Sequence, residues 1–310
     1  MKRHWATTTE AGVLRGMQFM IGVHKFVGRT AFNFVLVFVM AYFFLRRSDA
    51  RRSSRDYLRR VRKLYPESLQ QRPIIWLSFR QFFAFGQSIL DKYLAWAETP
   101  TGINMDPDEE AMLFDFVATG EGCLLVGSHF GNLEYSRGIA HRHPTVTINV
   151  LIYDQHAKNF AALLEQGDPE SRMNLIQVTD IDFQLALSLR EKVQRGEWVV
   201  IAGDRVPVGE GGRVCHPEFI GDAARFPIGP YVLASLLQCK VFLLHCFQID
   251  GDYHLGMEPF ADKIAPVRNE RHATYEAYAQ KFAAALEKQV ARAPLQWFNF
   301  YDFWGSNAED

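Results

Sequence analysis

Residues 123–134 read CLLVGSHFGNLE, a five-residue apolar run that gives way to a histidine between glycines and ends on an acidic residue. The run fits a buried strand, and the stretch after it fits a turn into a helix. In open α/β sheets, ligands gather at such strand ends. The same alternation continues downstream. Strands are expected at 145–153, 174–178, 198–204 and 240–249, with helices at 107–120, 181–195, 227–238 and 269–292. YHLGMEPF (253–260) is expected to fold back on the strand before it, because Asp250-Gly251-Asp252 makes a turn. The pattern predicts an α/β fold with a mainly parallel central sheet flanked by helices.

Upstream the chain changes character. Residues 1–100 read as a helical region and 101–310 as the α/β domain, joined at the turn-rich TPTGINMDPDEE (99–110). There, Asp106 before Pro107 marks a helix start and Gly120 a stop. Pro73 opens an apolar helix through Trp96. Residues 1–63 carry 14 Lys/Arg against 3 Asp/Glu, although the whole chain has a formal net charge of only -1. Within this basic end lies AFNFVLVFVMAYFFL (Ala31–Leu45), followed by Arg46, Arg47, Arg51, Arg52, Arg55, Arg59 and Arg60. Fifteen apolar residues fall short of the about 20 that span a bilayer. The segment is read as a short anchor, with the body on the cytoplasmic side, or as an interfacial helix. Basic residues flanking an apolar run favour anionic lipid over nucleic acid, at roughly 1 kcal/mol per Lys or Arg near the surface. The four cysteines form no CxxC pair and read as buried, reduced thiols.

The chemistry centres on His129 and Glu134, spaced H-x4-E. An alcohol attacks poorly unless a base takes its proton, and histidine titrates near neutral pH. Glu134, in the first turn of the expected helix, would hold the imidazole's other nitrogen. Free amides at the helix start would receive an oxyanion, and Asn132 would cap the helix. His245 and Asp250 have a comparable spacing, but on a strand an odd separation points side chains to opposite faces. His245 is therefore read as a core residue and Asp250 as a turn residue. There is no G-x-S-x-G elbow, no Walker loop, no HExxH and no paired CxxC, so no metal or nucleotide cofactor is expected. GEGGR (209–213) lacks the strand-turn-helix context of a dinucleotide cradle.

HFGNLE, GDRVPVG (203–209) and FIGDAARFPIGPYVLA (219–234) together resemble the lysophospholipid acyltransferase superfamily, in particular the bacterial lipid A late acyltransferases. The resemblance runs from the basic apolar N-terminus to QWFNFYDFW near the end. It implies an acyltransferase at the cytoplasmic face of the inner membrane, taking acyl chains from acyl carrier protein or coenzyme A. It places a histidine and its acidic partner at His129 and Glu134, and a functional aspartate at Asp204. Arg205, Arg213 and Arg225 become candidates for binding donor or acceptor phosphate. Two departures stand out. Neither Arg172 nor Arg190 falls in the context of that branch's functional arginine, and QWFNFYDFW replaces a C-terminal basic pair. These departures leave the acceptor open to a membrane glycolipid or another lipid-linked molecule. Two alternatives keep parts of this picture: a thioesterase or lipid hydrolase with the same dyad, and a lipid-binding protein without chemistry.

Overall fold

The computed structural model describes residues 11–69, 71–97, 103–136, 139, 146–152, 173–178, 183–206 and 214–305. The predicted α/β architecture is present. Among the described residues, strands β1 (Ile103–Asn104), β2 (Cys123–Gly127), β3 (Ile148–Ile152), β4 (Met173–Gln177), β5 (Trp198–Ala202), β10 (Lys240–Ile249) and β11 (Asp252–Ala261) form one sheet. Its order is β1-β11-β10-β2-β5-β3-β4. All neighbours are parallel except β10 and β11. That antiparallel pair turns through Asp250 and Gly251, whose φ of 53° and 99° give the doubly positive geometry a two-residue hairpin needs. Two ribbons of two-residue strands pair β6 (Val214–Cys215) with β9 (Phe226–Pro227), and β7 (Glu218–Phe219) with β8 (Asp222–Ala223). The helix expected from residue 227 therefore begins later, as α7 (Gly229–Leu237).

Both faces of the sheet are covered, which is why its strands are apolar at every position rather than at every second one. Leu124, Val126, Val199, Ile201 and Leu243 face one core, with Phe282, Ala283 and Leu286 of α8 (Arg271–Arg292). Cys123, Leu125, Trp198, Val200 and Phe242 face the other, with Leu113 and Phe116 of α5 (Pro107–Thr119). Helix α5 begins and ends where expected: the Asp106 carboxylate accepts the Asp108 amide at 3.0 Å, and Gly120 caps with φ 68°. Helix α6 (Phe183–Gln194) packs on β5 and α7. All four cysteines are free thiols.

The N-terminal region forms α1 (Ala11–Val27), α2 (Arg29–Arg46), α3 (Ser48–Leu64) and α4 (Ile74–Ala97). Tyr57, Leu58 and Val61 of α3 and Leu77 of α4 join the core of the sheet. Helix α2 carries two apolar stripes. Phe32, Leu36, Met40 and Phe44 are buried against α4, where a Cβ at Gly86 would lie 2.8 Å from Leu36. Phe34, Phe38, Tyr42 and Leu45 point outward and are 58–73% exposed. By length and composition, α2 is long and apolar enough to cross a membrane. Arg51 of α3 turns back on the last carbonyls of α2, Phe44 and Leu45, as a cation at a helix C-terminus does favourably.

His245 of β10 packs into the sheet as expected, with its side chain 13% exposed. Its ring lies against Gly256 of β11, where a Cβ would come within 2.0 Å of Nε2. Burial, aided by the Arg292 charge, lowers its pKa to about 4. The unfolded chain therefore takes up a proton below pH about 6.5 that the folded chain takes up only near 4. Stability should fall across that window by about 3 kcal/mol. Urea titrations at pH 7.5 and 4.5 are expected to show a smaller acid loss for His245→Gln than for wild type. An identical loss in both would refute this assignment.

Candidate active site

His129 follows β2, and Asp204 follows β5, which lies beside β2 in the sheet. Parallel pairing brings both strand ends to the same edge, and Gly203 donates its amide to the Gly127 carbonyl at 2.8 Å. The two side chains meet there, with 2.7 Å between His129 Nδ1 and Asp204 Oδ1. The carboxylate also accepts the His129 amide at 3.0 Å, the Trp297 indole N–H at 3.1 Å and the Asn299 side-chain N–H at 2.8 Å. Asp204 is fully buried, whereas the His129 side chain is about one-third exposed, at 32%.

The electrostatics fix the proton. Burial alone would raise the Asp204 pKa, but the charge and hydrogen bonds of His129 and the Arg205 guanidinium outweigh it and hold the carboxyl below its ordinary value. An ionised carboxylate only accepts, so Nδ1 of His129 carries the hydrogen and donates it. Burial, with the nearby Arg205 charge, lowers the His129 pKa against the pull of Asp204, and Lys92 adds to the lowering. The ring is therefore neutral at neutral pH, with its lone pair on Nε2. Among the described residues Nε2 has no hydrogen-bond partner. This arrangement can take a proton from a hydroxyl.

Glu134 does not hold this ring. It sits in a 3-10 turn, Leu133–Ser136, and its Oε1 is 2.9 Å from Lys92 Nζ on α4. The expected helix start is replaced because residues 129–132 are stitched to two other segments. Gly131 donates to the Gln296 carbonyl at 2.8 Å, Asn132 donates to the Cys246 carbonyl at 2.6 Å, and Phe298 donates to the His129 carbonyl at 2.9 Å. Gly131 has φ 68°, and a Cβ there would lie 2.0 Å from the Cys246 oxygen, so only glycine fits. The amides of 129, 131 and 132 are thus already bonded, and the expected helix start with its free amides is not formed there. Asn132 does not cap a helix with its side chain. Oriented by its neighbours, its amide nitrogen donates to Glu134 Oε2 at 2.7 Å and its oxygen accepts the Lys92 backbone N–H at 3.2 Å.

The other candidates are dispersed. Arg205 braces the C-terminal segment, donating to Asn299 Oδ1 at 2.7 Å and to the Phe298 carbonyl at 2.9 Å. Arg225 is exposed on the link between β8 and β9, and Arg190 is exposed on α6. Arg213 and Arg172, with the GEGGR loop, lie outside the described residues. The residues that sequence reasoning missed are Trp297 and Asn299. Their only signal was the density of QWFNFYDFW, where one asparagine sits among aromatic residues.

Behind the turn runs a second polar chain. Asp91 of α4, 1% exposed, forms an ion pair with Arg29 of α2 at 2.8 Å and accepts the Tyr253 hydroxyl at 2.8 Å. The Tyr253 ring stacks on Tyr135, at 3.8 Å between centroids. A cleft lined by Gly127, Ser128, Phe130, Leu243, Phe282 and Leu286, among others, opens beside the histidine turn and is mostly apolar.

A sequence model of the family described as bacterial lipid A biosynthesis acyltransferase matches residues 2–305. Comparison with curated proteins returns no match.

Proposed function

Because the chain belongs to the bacterial lipid A biosynthesis acyltransferase family, we propose that it moves a fatty acyl chain from a thioester to a hydroxyl of a membrane glycolipid or lipid-linked acceptor. Acyl carrier protein is the proposed donor carrier, with coenzyme A as the other thioester the same chemistry accepts. The observation that carries this reading is the neutral imidazole of His129, held by the ionised Asp204 at the sheet edge. His129 is the base. Asp204, rather than Glu134, fixes its tautomer and stabilises the imidazolium. The outward stripe Phe34, Phe38, Tyr42 and Leu45, next to the arginines of α3, supports action at a membrane, which we place at the cytoplasmic face of the inner membrane.

The test uses the purified full chain with lauroyl- and palmitoyl-thioesters of acyl carrier protein and coenzyme A, and a bacterial membrane lipid extract as acceptor. Thiol release and acylated lipid are both measured. Wild type is expected to yield acylated lipid, and His129→Ala to lose about 10³-fold or more of that rate. Free fatty acid without acylated lipid would make the protein a hydrolase instead. A base works only when unprotonated, so activity should rise with pH through the His129 pKa. That acid limb is expected below pH about 6.5, the ordinary histidine value. A limb well above this would contradict the neutral ring.

A further inference from the structure

Resting on the transferase reading above, we propose that Lys92 is the cation that stabilises the oxyanion, and that Glu134 is its positioning residue. Attack on a thioester carbonyl puts negative charge on its oxygen, and the largest single contribution to such catalysis is a fixed donor facing that charge. Three amides of the turn are bonded elsewhere: His129 to Asp204, Gly131 to Gln296 and Asn132 to Cys246. Arg205 has its Nε and Nη2 turned to Asn299 and Phe298. Lys92 remains. Its ammonium bears three N–H groups and pairs with Glu134 Oε1 at 2.9 Å. The pair is neither sealed in nor loose, with side chains 30% and 23% exposed.

The geometry ties this cation to the histidine turn from two sides. Asn132 grips the second oxygen of Glu134 at 2.7 Å and the backbone of Lys92 at 3.2 Å. The carboxylate is therefore oriented before it meets the ammonium. Lys92 is also close enough to His129 for its charge to act on the imidazole. In the proposed step the acceptor oxygen adds to the thioester carbonyl carbon while its proton passes to His129 Nε2. The carbonyl electron pair moves onto oxygen, facing the Lys92 ammonium. Collapse re-forms the carbonyl and breaks the C–S bond, and the departing thiolate takes the proton from Nε2. Glu134 is thus needed although it touches neither the histidine nor the reacting atoms.

The test uses the assay above with four variants, each checked by circular dichroism and thermal melting. Lys92→Met is expected to lower kcat about 100-fold, the size of effect seen when one oxyanion donor is removed, with donor KM within about threefold of wild type. Lys92→Arg should recover to within about tenfold of wild type, because a cationic donor is restored. Glu134→Gln should lose only about tenfold in kcat, since the ammonium stays and only its anchor weakens. The double variant Lys92→Met/Glu134→Gln should match Lys92→Met alone, because Glu134 acts through Lys92. Three results would overturn the proposal: Glu134→Gln losing as much as Lys92→Met, additive losses in the double variant, or Lys92→Met changing KM and leaving kcat intact. Full activity of His129→Ala is a separate outcome, which would remove the transferase reading itself.

Discussion

Asp204→Asn is expected to reduce acyl transfer by about 10³- to 10⁴-fold, while Glu134→Gln loses far less. Every neighbour of the Asp204 carboxylate is a donor: the His129 ring and amide, the Trp297 indole and the Asn299 amide. An asparagine has one oxygen and one NH₂ to set against them. If the NH₂ faces the ring, Nδ1 must accept and the hydrogen moves to Nε2, which removes the base. If it faces the other way, it meets the N–H groups of Trp297 and Asn299, and a buried donor goes unpaired, at about 1–3 kcal/mol. Both orientations fail, the first in chemistry and the second in stability. Single-turnover rates with a labelled acyl thioester measure the effect, and thermal melting separates the two failures. Asp204→Asn retaining more than a tenth of the wild-type rate, with Glu134→Gln nearly inactive, would restore Glu134 as the partner of the histidine.

The second large effect concerns Trp297. Its side chain is fully buried, packed against Tyr57, Phe219, Phe303 and Trp304, so it joins α3, the short ribbons and the C-terminal segment. Truncating a buried tryptophan to alanine costs about 3–5 kcal/mol. Domains of this kind have only about 5–15 kcal/mol in total. Trp297→Ala should therefore melt far below wild type and accumulate poorly. Trp297→Phe keeps most of the volume but removes the N–H donated to Asp204, so it should stay folded and lose activity out of proportion to stability. A Trp297→Ala protein that melts like wild type would show that this ring is not part of the central core.

The elements were legible in the sequence wherever one segment's own pattern decided them. The apolar run at 123–127, the caps Asp106 and Gly120, and the Asp250-Gly251 hairpin are all local features. His129 was legible for the same reason, as a histidine between glycines at a strand end. Its partner was not. Asp204 lies 75 residues further on, and only the side-by-side pairing of β2 and β5 brings the two together. The H-x4-E spacing pointed to Glu134 because a helix was expected from residue 132. Hydrogen bonds donated by the Gly131 and Asn132 amides to the Gln296 and Cys246 carbonyls tie the chain down there, and no local pattern announces them. The two-residue strands at 214–227 were too short to show alternation, and the donors from Trp297 and Asn299 exist only after the C-terminal segment has docked.

The pairing of Arg29 with Asp91 bears on how this protein can be handled. A truncation beginning near residue 100, made to leave the greasy helices behind and give a fragment soluble without detergent, would discard both halves of that pair, together with Lys92 and the α3 and α4 side chains under the sheet. A milder cut after residue 47 would keep Asp91 and remove its counter-ion, stranding a buried carboxylate among Tyr253 and Gln248. Such a fragment would be expected to open around that carboxylate, so soluble versions are better sought by replacing Phe34, Phe38, Tyr42 and Leu45 on the outer stripe of an otherwise intact chain.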